Sequence, residues 1–105
     1  MGRYSPGLDE ETESITRDEV TDPPMFRVLL HNDDFTTMDF VVQILMRVFN
    51  KKFEEAARIM LNVHRKGIGL CGVYTYEVAE TKVDTVHSLA REHQYPLKCT
   101  MEKDD

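Results

Sequence analysis

From Met25 onward the chain alternates between short apolar runs and longer segments whose large side chains recur every three or four positions. Met25-Phe26-Arg27-Val28-Leu29-Leu30-His31 is a brief, partly β-branched run and predicts a strand. Asn32-Asp33-Asp34 breaks it, because short polar side chains compete for backbone hydrogen bonds and favour turns. Thr36 is then the expected helix N-cap, with Asp39 three residues on in the capping-box position. A first helix is predicted over Thr37 to Phe49 from the recurrence of Phe40, Val41, Ile44, Leu45, Val48 and Phe49. A second is predicted over Phe53 to Lys66, with the stripe Phe53, Ala56, Ala57, Met60, Leu61 and His64. Arg65 and Lys66 suit the negative end of its dipole, and Gly67 is its expected C-cap. Leu70 to Tyr76 reads as a strand, Val78 to His93 as a third helix, and Leu97 to Met101, after Pro96, as a last strand. The order β-α-α-β-α-β lacks a strict βαβ rhythm. It predicts a single small α+β domain, with three helices packed on one face of a three-stranded, mainly antiparallel sheet.

Residues 1–24 behave differently. They hold few large apolar side chains, no periodicity, and end in Pro23-Pro24, so they are expected to form a flexible N-terminal arm ahead of a domain at 25–105. The arm carries seven acids and two bases, which accounts for most of the net charge of −6. An acidic chain without a basic face argues against a nucleic-acid partner. No apolar run reaches the roughly 20 residues a bilayer demands, so no membrane association is expected. With no secretory signal at the start, the cytoplasm is the expected location. Cys71 and Cys99 then read as reduced core thiols, and neither has a second cysteine at metal-ligand spacing. No cofactor is implied.

Two features could carry chemistry. His64 shares a helix face with Met60 and Ala57, a placement that by itself favours a core histidine with its ring nitrogens satisfied by backbone. The turn His31-Asn32-Asp33-Asp34 sets several hydrogen-bonding side chains between a strand and a helix, which is also what a solvated capping loop would do. It lacks the spaced oxygens, the turn glycine and the closing Glu of a calcium loop. His64 with Asp33 is the obvious acid–base pair for a small hydrolase, but no nucleophile motif accompanies it.

Several segments together resemble one family. Phe26 to Val41, including Asn32-Asp33-Asp34-Phe35-Thr36-Thr37-Met38, is similar to the strand, turn and helix start of ClpS adaptors. Ile59-Met60-Leu61-Asn62-Val63-His64 resembles their second-helix segment, Cys71 to Val83 is nearer still, and Tyr95 to Glu102 matches their closing strand. The resemblance implies an adaptor, not an enzyme, that binds N-degron substrates beginning with Leu, Phe, Tyr or Trp. It would deliver them to the N-terminal domain of the ClpA unfoldase of the ClpAP protease. It implies that Asn32, Asp33 and His64 hold the free α-amino group, and that Thr36, Met38, Val41, Met60, Val63 and Leu97 line the side-chain pocket with Asp34 at its edge. Glu77 and Lys82 would meet the unfoldase. Thr37 stands where the family commonly has Pro, which is expected to loosen the turn, and His31 stands where an apolar residue is more usual. These departures keep open an adaptor with narrower specificity.

Overall fold

A computed structural model describes residues 22–105; the arm expected at 1–24 lies almost wholly outside them. The elements are β1 (Met25–His31), α1 (Met38–Arg47), α2 (Phe53–Lys66), β2 (Ile68–Thr75), α3 (Tyr76–Glu92) and β3 (Lys98–Lys103). Every element foreseen is present; β1 and α2 keep their expected ends, and the other ends move by one or two residues. The sheet is antiparallel throughout in the order β2-β1-β3. A register shift between Val28 and Leu29 leaves Cys71 as the extra residue of a bulge.

Burial alternates along β1, where Val28 and Leu30 are sealed while Arg27, Leu29 and His31 are only half-covered. The sealed side chains meet α3, which packs on all three strands, and Ile44, Leu45 and Phe49 of the first helical region. Cys71 and Cys99 are buried free thiols in the same core. Burial pushes both up, Cys99 to about 12, which makes them poor nucleophiles.

The apolar face of α2 is rotated from the expected stripe. Its sealed residues are Ala56, Ile59 and Val63, whereas Phe53 and His64 are exposed and Met60 is half-exposed. The cause lies in β2. A Cβ on Gly69 would come within 2.6 Å of Val63 Cγ2 and 3.2 Å of the Ile59 carbonyl oxygen, so the helix lies directly on that glycine. Docking through Ile59 and Val63 turns His64 outward.

The start of α1 is also shifted. Its N-cap is Thr37, whose hydroxyl accepts the Phe40 N–H at 3.1 Å, because the Thr36 hydroxyl is engaged elsewhere. At φ −74° Thr37 holds nearly the angle a proline ring would impose, and it adds a side-chain cap that proline lacks. The expected loosening is therefore offset.

Candidate functional site

The site is assembled by a glycine. Gly67 caps α2 in the left-handed region at φ +88°, donating its N–H to the Val63 carbonyl. Its own carbonyl accepts the Asn32 N–H at 3.0 Å. One residue thus ties the end of α2, which carries His64, to the first residue of the turn that follows β1.

Asp33 then fixes the rest of that turn. Its Oδ1 accepts the N–H groups of Phe35 at 2.8 Å and Thr36 at 2.7 Å, and its Oδ2 accepts the Thr36 hydroxyl at 2.7 Å. Burial alone would raise the Asp33 pKa, but these three hydrogen bonds outweigh it and hold the carboxyl below its ordinary value. A carboxylate has about four lone-pair positions. Three are occupied by the turn, so one position on Oδ2 stays available to a ligand.

Between the turn and α2 lies a hollow of about 270 Å³, lined by Asn32, Asp33, Asp34, Thr36, Met38, Val41, Met60, Val63 and His64. Its polar wall offers an amide, two carboxylates, a hydroxyl and an imidazole. Its apolar wall is made of two methionines and two valines. The volume is below the roughly 300–1,000 Å³ of pockets for drug-sized ligands, and suits one side chain with a small polar head.

Nine of the residues singled out in the sequence converge here, and three do not. Leu97 is 4% exposed and buried in the core, and is not among the side chains that line the hollow. It shares the parity of Cys99 and Met101, so it turns toward the helix-covered face of the sheet. Glu77 is exposed in the first turn of α3, beside exposed Tyr76 and Val78. Lys82 is half-buried. Its Nζ donates to the Val48 carbonyl at 2.7 Å and sits 5.7 Å and 5.2 Å from the ring centroids of Phe49 and Tyr74. That ammonium satisfies an orphan carbonyl at the end of α1, a role the sequence did not disclose. His31 Nε2 pairs with the Thr100 hydroxyl at 2.7 Å, and burial and then Lys98 lower its pKa. It takes no part in the hollow.

A small α+β domain with an open hollow, polar on one wall and apolar on the other, has the character of a binding module. Residues 21–100 match the family model described as ATP-dependent Clp protease adaptor protein ClpS. The chain is 58% identical to the ClpS of Desulforapulum autotrophicum over 99% of its length and 100% of that protein. It is 61% identical to that of Nitratidesulfovibrio vulgaris over 93% and 98% of the two chains. Among solved structures, Agrobacterium tumefaciens ClpS2 bound to L-phenylalaninamide is similar, with a TM-score of 0.76 at 34% identity, covering 78% of this chain and 99% of that one. The chain belongs to the ClpS family, which consists of adaptors for the Clp protease and not of enzymes.

Proposed function

We propose that this adaptor captures proteins by a free α-amino group carried on a large apolar first residue (Leu, Phe, Tyr or Trp), and passes them to the ClpA unfoldase of ClpAP. The observation that carries the reading is the two-sided hollow. A protonated amine has three donors and no acceptor, so it needs several acceptors converging at once. Asn32, the remaining Oδ2 position of Asp33 and a His64 ring nitrogen meet that need, with Asp34 adding negative charge at the rim. Met38, Val41, Met60 and Val63 receive the side chain. The similar Agrobacterium protein holds L-phenylalaninamide, a ligand with both a free amine and an aromatic side chain, which supports this division of the hollow.

Hydrogen bonds to a charged group contribute about 1.5–3 kcal/mol each, and burying a Leu or Phe side chain contributes a similar 1.5–3 kcal/mol. Neither half should therefore suffice alone. The cap geometry at Thr37 favours a general adaptor over one of narrowed specificity, since the turn is held as a proline would hold it. We place the work in the cytoplasm, where two buried free thiols stay reduced.

For docking on the unfoldase we assign Glu77 a direct role, supported by its exposure beside Tyr76 and Val78. Lys82 acts by holding the end of α1 in place, supported by its bond to Val48. Calorimetry with a peptide beginning with Leu and with its Nα-acetylated form tests the central claim. Wild-type protein should prefer the free amine by at least tenfold, and His64→Ala should stay folded and lose most of that preference. Equal binding of both forms by the wild type would defeat the reading.

A further inference from the structure

Phe35 is the most exposed of the large apolar side chains among the described residues, at 75%. A mobile turn could tuck such a ring away, but this turn is pinned. The Phe35 N–H is bound to Asp33 Oδ1 at 2.8 Å, and the next residue, Thr36, is bound to the same carboxylate through both its N–H and its hydroxyl. Asp34 and Thr36, on either side of Phe35, both line the hollow, whereas Phe35 itself does not. Its ring is held in water at the rim by a turn whose other members face inward.

We propose that Phe35 is a platform for the second residue of the bound chain and makes the adaptor favour a large apolar side chain there. The inference rests on the amine-first reading above. If the amine is bound at the polar wall and the first side chain fills the hollow, the rest of the polypeptide must leave across the rim. One extended residue spans only about 3.3–3.6 Å, so the second side chain emerges beside the turn rather than far from it. Three rim groups offer themselves to it: the Asp34 carboxylate, the exposed Met38 and the Phe35 ring. Of these the aromatic ring presents the largest apolar area, and covering it removes water from both partners.

The test uses full-length protein and three ligands: leucinamide, a peptide beginning Leu-Phe, and the same peptide beginning Leu-Gly. Wild-type protein should bind the Leu-Phe peptide about fivefold tighter than the Leu-Gly peptide, the scale of partial burial of two apolar groups. Phe35→Ala should bring that ratio close to one, and Phe35→Tyr should restore it. Leucinamide reports on the first-residue pocket and should bind wild type and Phe35→Ala alike. A wild-type ratio near one, or an undiminished ratio in Phe35→Ala, would overturn the assignment. An equal loss for leucinamide would also overturn it, by making Phe35 a support of the turn. If leucinamide fails to bind the wild type, the amine-first reading falls and takes this inference with it.

Discussion

Replacing Asp33 by Ala removes the acceptor for three hydrogen bonds, of 2.8, 2.7 and 2.7 Å, and leaves the amides of Phe35 and Thr36 without their internal partner. Bonds to an ionised acceptor can reach 3 kcal/mol, but the turn is half-exposed and the freed N–H groups recover water. About 1 kcal/mol each is the fair figure, or about 2–3 kcal/mol for the ordered turn. Global stability should fall by less, because the turn can open locally while the core stays folded. Peptide affinity should bear the full loss, since binding must re-order the turn, and 2–3 kcal/mol corresponds to about 30- to 150-fold, to which the lost acceptor at the amine adds. Calorimetry with a peptide beginning with Leu, alongside thermal denaturation, measures both. Two further variants separate the turn from the charge. Thr36→Val deletes one bond and should cost about fivefold. Asp33→Asn keeps an acceptor for both amides and lets the Thr36 hydroxyl reverse its role, so any loss beyond a few-fold reports the missing charge at the amine. An Asp33→Ala protein that binds within threefold of wild type would refute the claim that these bonds hold the site open.

The remaining predictions are simpler. Because the folded Asp33 pKa lies below the unfolded value of about 3.9, its contribution should be complete above about pH 4 and disappear as pH falls through the folded value; acid titration of Asp33→Asn should lack that component. Gly69→Ala forces a methyl group against Val63 Cγ2 and the Ile59 carbonyl, and should lower stability by about 1–3 kcal/mol in urea unfolding while weakening peptide binding through displacement of α2. Lys82→Met removes the donor to the Val48 carbonyl and should cost about 1–2 kcal/mol of stability, with weaker unfoldase docking and unchanged peptide affinity; normal stability would return Lys82 to a purely external role.

The order of elements was legible because the two hydrophobic periods are well separated along the chain. Less legible was which face each element turns inward. The stripe Phe53, Ala56, Ala57, Met60, Leu61 and His64 is as good a helical period as Ala56, Ile59 and Val63, and the two share only Ala56. The choice between them is made by Gly69, where a missing side chain lets α2 settle on β2. Glycines near a strand start signal close approach, but not which neighbour approaches. Resemblance assigns Leu97 to the pocket, while its parity with Cys99 turns it toward the core. The Lys82 contact had no local signal, since Val48 lies 34 positions away.

The rotation of α2 also explains why the site exists at all. Had the helix packed on its Phe53–His64 stripe, the imidazole would face the core and need a buried partner for each ring nitrogen. Docking on Ile59 and Val63 instead leaves the next residue, His64, at the surface, one turn along the same face from the half-exposed Met60. Gly67 then reverses the chain and its carbonyl clasps Asn32, so the same helix end that exposes the imidazole fixes the turn opposite it. Two glycines two positions apart thus set both walls of the hollow: Gly69 by what it lacks, and Gly67 by the left-handed turn it allows. The polar residues that line the hollow are arranged by backbone geometry several residues away, so a substitution at either glycine should damage binding without replacing any lining residue.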